Sequence, residues 1–141
     1  MIPLEEWLSP IVAGRVFSGA MLAVLFLQSG LDKVFDREGN LSWIKDHFSE
    51  SPLVGNVPFL LTLITVIEIL AGLSSFLGIG FYLFSNDTIL LKMGVQFSCL
   101  AILMLFAGQR IAKKYEGAAD LVPYFIMALL SNFLYFDLPN V

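Results

Sequence analysis

The sequence predicts an all-α fold: an integral-membrane bundle of four transmembrane helices, with a short interfacial helix between spans one and two. Three observations predict it. Charged residues make up 14% of the chain and apolar residues 57%, with a mean hydropathy of +0.81. Soluble domains carry about 25% charged residues, so too little polar surface is present to coat a water-soluble globule. Four apolar runs, residues 11–31, 58–77, 89–107 and 121–136, have the length of a membrane span or near it. None shows the polar stripe that a soluble bundle helix needs on its outer face. With 141 residues the chain is expected to form one domain.

The first ten residues form a lead-in, with Pro3 and Pro10 discouraging a continuous helix and Trp7 suited to the headgroup level. The first span, residues 11–31, covers about 31 Å at a rise of about 1.5 Å per residue. Its small residues, among them Gly14, Ser18, Gly19, Ala23, Ser29 and Gly30, suit a backbone lying close to other helices. A polar stretch from Asp32 to Asn56 follows. Within it, residues 41–49 read as a short amphipathic helix with Leu41, Ile44 and Phe48 on one face, Trp43 and His47 alongside, and Asn40 as cap. That helix lies in the interface plane or covers the end of the bundle. Pro58 suits the first turn of the second span, and Gly78 and Gly80 are expected to end or bend it before the aromatic connection FYLFSND. Gly94 and Ser98 form a small-xxx-small pair on the third span. After the basic loop GQRIAKKYEGAAD, the fourth span closes with Tyr135, Asp137 and Pro139.

Lys33, Arg37 and Lys45 fall after span one and Arg110, Lys113 and Lys114 after span three, against Arg15 and Lys92 on the other side. The positive-inside rule therefore places loops 32–57 and 108–120 in the cytoplasm and both termini outside. The N-terminus lacks the basic region of a secretory signal, so the first span is expected to remain. A formal charge of −4 argues against a nucleic-acid partner. A single cysteine, Cys99, excludes an intrachain disulfide, and a single histidine, His47, excludes a pair of intramembrane haem ligands. No metal-ligand spacing, P-loop or dinucleotide fingerprint is present, so any redox chemistry needs a bound quinone or another subunit.

Glu68 is the sharpest signal, a carboxylate near the middle of the second span, where an unsatisfied charge costs several kcal/mol. By depth, Arg15, Gln96 and Glu68 make a candidate polar ladder from three helices, running from the outer face to the midplane. Two readings stay open: a buried network that fixes the bundle's register, or a site for a quinone, a proton or a small polar substrate. A second cluster gathers at the cytoplasmic end, Gln28, Asp32, Lys33, Gln109 and Arg110, with Asp120. These are flanking charges of the snorkelling kind, or an edge for a phospholipid headgroup or anionic substrate. Trp43, Ile44 and Phe48 are candidates for an interface or for partner docking.

The first span, GRVFSGAMLAVLFLQSGLDKVFD, with Arg15, Gly19, Gly30 and Lys33, resembles the opening motif of the DoxX family. EILAGLSSFLGIG resembles that family's second helix, with Glu68 at its acidic position, and the basic loop is similar too. The similarity runs over about residues 11–136. It implies a small four-helix protein of the bacterial inner membrane, of a family linked to a terminal quinol oxidase and to thiosulfate:quinone oxidoreduction. Arg15, Lys33 and Glu68 are the positions it carries forward. The amphipathic insert around Trp43 to Phe48 departs from the family pattern. The expected function is an accessory subunit of a quinone-linked respiratory or oxidoreductase complex, embedded in the lipid bilayer among larger subunits, without a redox centre of its own. A stand-alone thiosulfate or sulfur:quinone oxidoreductase component is the alternative, and a small transporter or membrane assembly factor the next.

Overall fold

The computed structural model describes residues 1–136, so Asp137 and Pro139 lie outside the described residues. Five α-helices follow one another: α1 (Pro10–Phe35), α2 (Arg37–His47), α3 (Val57–Ser85), α4 (Ile89–Ile111) and α5 (Tyr115–Leu134). Short 3₁₀ turns lie at Leu4–Glu6 and Val54–Asn56. Four helices, all but α2, are long and apolar enough to cross a membrane. The fold is a membrane helical bundle.

Each spanning helix differs in extent from its apolar run, and local chemistry explains where. α1 starts at Pro10, whose fixed φ suits a first turn, and Ser9 caps it by accepting a hydrogen bond from Val12 N at 3.3 Å. It continues past Leu31 to Phe35, because Asp32 and Lys33 are helix-compatible residues at its last turn. Asp36, not Asn40, caps α2, its carboxylate accepting from Gly39 N at 3.2 Å. Asn40 sits inside that helix and donates to Asp36 O at 2.9 Å. α3 does not end at Gly78 or Gly80. It runs on through the aromatic segment to Ser85 and stops where Asn86 takes the left-handed conformation, φ 58°.

Gly78 serves packing instead. A Cβ there would lie 2.8 Å from Leu91 N on α4, so its hydrogen lets the α3–α4 hairpin close. Gly72 does the same against α1, where a Cβ would meet Leu27 N at 2.6 Å. The most extensive contacts are α1 with α3 and α3 with α4, which makes α3 the centre of the bundle. Leu22, Phe26, Leu61, Ala71, Leu91, Val95 and Ala101 form its core. α5 is the least enclosed span. Ala118, Ala128 and Ser131 are its buried residues, while Ile126, Leu130 and Phe133 are exposed as a lipid-facing side would be.

The end of the bundle away from α2 is tied by polar contacts. Arg15 Nε donates to Leu134 O at 2.8 Å, and its guanidinium lies over the Tyr82 ring, 5.3 Å from the centroid. Ser18 Oγ and Tyr135 OH share a hydrogen bond at 2.9 Å, and Thr88 Oγ1 donates to Tyr135 O at 3.1 Å. Ile2 N donates to Leu83 O at 2.9 Å and pins the N-terminal segment to α3.

Gly72 and Gly80 give opposite expectations on substitution. Gly72→Ala should cost about 1–3 kcal/mol by forcing α1 and α3 apart. Gly80→Ala meets no atom within 4 Å and should be neutral or stabilise α3 by up to about 1 kcal/mol. Thermal unfolding in one detergent, followed by loss of helical ellipticity, separates the two.

Candidate functional site

The chemistry-bearing residues converge at the α2 end. Ser29 and Lys33 are four residues apart on α1 and therefore share a face. That face meets Glu68 on α3. Lys33 Nζ donates to Ser29 Oγ at 2.7 Å and to Ser29 O at 3.2 Å, and stands 2.9 Å from Glu68 Oε2. Ser29 Oγ donates to Glu68 Oε1 at 3.0 Å. The Glu68 side chain is 1% exposed and that of Lys33 13%. A carboxylate this deep needs a counter-charge and donors, and Ser29 and Lys33 supply both.

α2 roofs this end of the bundle. At its start Arg37 Nη2 donates to Thr62 Oγ1 at 2.8 Å, clamping it to α3. At its finish His47 Nε2 donates to the Gln109 side-chain carbonyl at 2.9 Å, tying it to α4. Eleven residues of α helix reach about 16 Å, enough to bridge the two. The His47 ring stacks on Trp43 at 4.6 Å between centroids and meets Phe48 edge-on at 5.0 Å.

Beneath α2 lies a cavity of about 440 Å³, inside the range of small-molecule sites. Its walls are apolar, with Leu53, Leu60, Leu61 and Ile64 on one side and Met104 and Leu105 on the other. Ile44 and Phe48 close it from the roof, and its polar lining consists of Lys33, Asn40, His47 and Gln109. A second, polar cavity of about 290 Å³ adjoins it, lined by Asp46, His47, Ser49, Glu50, Ser51, Ala112 and Lys114. His47 borders both.

The expected ladder of Arg15, Gln96 and Glu68 is not assembled. Arg15 and Ser29 are fourteen residues apart on α1, as are Glu68 and Tyr82 on α3. Arg15 meets Tyr82 and Ser29 meets Glu68, so about 21 Å of helix separates the two contacts. Gln96 Nε2 donates to Asn132 Oδ1 at 2.9 Å, on the α4–α5 side. Arg15, Glu68 and Gln96 thus find their partners in three separate places, while Ser75 Oγ on α3 is buried without a hydrogen-bond partner among the described residues. The second cluster also divides. Lys33 turns inward to Glu68, Gln109 binds His47, and Arg110 lies over the Tyr115 ring at 4.6 Å. Asp32 accepts from Asn40 Nδ2 at 3.4 Å and Gln28 is exposed. Ile44 and Phe48 face the cavity, while Trp43 sits at its rim, 61% exposed. Sequence reasoning missed the Lys33–Glu68 pair and the place of His47. The four-residue spacing of Ser29 and Lys33 was the available signal for the first. Among the described residues no three His, Cys, Asp or Glu side chains come together as metal ligands. An amphipathic organic molecule fits the cavity's lining better than an ion does.

The DoxX family model matches residues 14–98, more than half the chain, and the chain belongs to that family. The match takes in most of α1, all of α2 and α3 and the first part of α4, and so both partners of the buried ion pair. Comparison with curated proteins and with solved structures gave no match.

Breaking the buried pair should be costly and removing it whole should not. Glu68→Leu leaves the Lys33 ammonium uncompensated and should destabilise the bundle by about 3–5 kcal/mol. Lys33→Met combined with Glu68→Leu should recover most of that loss. Arg15→Ala and Glu68→Gln, at separated sites, should add to within about 0.5 kcal/mol. A double-mutant cycle by denaturation in detergent reads both results, and strong coupling of Arg15 to Glu68 would contradict the separation of the two sites.

Proposed function

We propose that this DoxX-family chain is an accessory subunit of a quinone-linked oxidoreductase complex in the bacterial inner membrane, without a redox centre of its own, and that quinone binds beneath α2. The observation that carries this is the meeting of two features in one place. An apolar cavity opens at the end of the spans, and the Lys33 of the buried ion pair forms part of its wall. A quinone is an apolar ring with two carbonyl acceptors on an isoprenoid chain. It calls for greasy walls and a few donors. Lys33, Asn40, His47 and Gln109 all carry donors and all line this cavity.

The chain's own part is to hold and orient the ring, exclude water from the apolar side and present hydrogen-bond donors, while electron transfer belongs to centres in partner subunits. Lys33, Arg37, Lys45, Arg110, Lys113 and Lys114 all cluster at the α2 end, which supports a cytoplasmic position for it and an outer position for both termini. The exposed apolar side of α5 suits lipid or the helices of larger subunits.

Purification of the chain from its native membrane in mild detergent tests the proposal. Haem- or copper-bearing subunits should co-elute, and extraction should recover quinone in amounts comparable to the chain. Leu60→Trp, which fills the cavity, should deplete the quinone several-fold and leave the subunits associated. A colourless chain that elutes alone and quinone-free would overturn it.

A further inference from the structure

We infer that His47 is the proton-exchange residue of the cavity beneath α2, passing protons between the bound ligand's oxygen and water in the adjoining polar cavity. This deepens the quinone proposal and rests on it. The geometry carries it in three steps. His47 lines both the apolar cavity and the polar one, so it stands in the partition between them. Its Nε2–H is committed to the Gln109 carbonyl, which leaves Nδ1 as the ring atom that takes up and gives up a proton. Stacking on Trp43 and the edge contact with Phe48 hold the ring plane in that partition.

Asp46, Glu50 and Lys114 line the polar cavity with His47, so its aqueous side carries groups of both signs. Lys33 lies on the apolar cavity's wall, with Glu68 as its counter-charge. When a hydroquinone in the cavity is oxidised, two O–H bonds break and two C=O bonds form. Two electrons pass to haem or metal centres of the partner complex. Two protons must leave an apolar chamber, and His47 Nδ1 takes each in turn and releases it to the aqueous side. When Nδ1 carries the proton, the ring donates to a quinone carbonyl as a charge-assisted hydrogen bond.

His47 is the chain's only histidine, so its ring resonances are unambiguous in a protein carrying no histidine tag. The experiment records nitrogen-15 chemical shifts of that ring from pH 5 to 8, with and without a short-chain ubiquinone, on the full-length chain in lipid nanodiscs. Quinone affinity is read separately by quenching of Trp43, made the sole tryptophan by Trp7→Phe. The expected result has three parts. The neutral ring is the Nε2–H tautomer, and quinone moves its titration to higher pH. Quinone binds about three- to tenfold more tightly at the acid end than at the alkaline end, the difference between a charge-assisted and a neutral hydrogen bond. His47→Gln still binds quinone but with a flat pH profile. A titration indifferent to saturating quinone, or the same pH profile in His47→Gln, overturns the role of His47 while leaving the binding site standing. Absence of quenching in the parent chain overturns both.

Discussion

The Lys33–Glu68 contact constrains the rest of this molecule. A lone carboxylate inside a membrane span has no water to turn to, so α3 can be placed only where a cation and a donor meet Glu68. α1 supplies both within one turn, Ser29 and Lys33, at 3.0 and 2.9 Å from the two carboxylate oxygens. Sliding α1 by a single turn, about 5.4 Å, would strand the carboxylate among apolar side chains. It would also drive the Leu27 backbone off the one place where Gly72 gives it room. Charge and close packing therefore select the same antiparallel register, and that register brings Arg15 to Tyr82 at the far end.

From this register the two ends of the bundle acquire different characters. Away from α2, hydrogen bonds made by side chains join α1, the α3–α4 connection and the end of α5 into a fastened end. At the α2 end the helices are bridged by a roof instead. α2 is held at its two tips, by Arg37 to α3 and by His47 to α4, and an apolar chamber remains beneath it. Lys33 of the buried pair lines that chamber. The residues that secure the fold thus also place a lysine where a ligand's polar head would lie.

The fold class was legible in the sequence because it rests on composition and run length, which the bilayer reads directly. The helix limits were less so. Gly78 and Gly80 look like breakers, yet within a membrane bundle their missing side chains serve helix contact, and the strand of aromatic residues after them stays helical to Ser85. Glu68 was correctly marked as a residue needing partners, but counting depth along isolated helices paired it with Arg15 and Gln96. Depth says nothing about which faces meet, and the meeting of Glu68 with Lys33 depends on the rotation and register of two helices. The contact between His47 and Gln109 joins residues 62 positions apart across two helices, and nothing local in either segment announces it.

Solid-state nuclear magnetic resonance on the chain in lipid bilayers gives the most direct test, with nitrogen-15 at lysine Nζ and carbon-13 at glutamate Cδ. With Lys33 Nζ 2.9 Å from Glu68 Oε2, the nitrogen and Cδ are near enough for a measurable dipolar coupling between these labels. That coupling should vanish in Glu68→Gln, in which the labelled carboxylate is gone, and persist in Arg15→Ala. A spectrum without the coupling in the parent chain, or one in which it survives Glu68→Gln, would contradict the buried pair on which the register and the placing of the cavity depend.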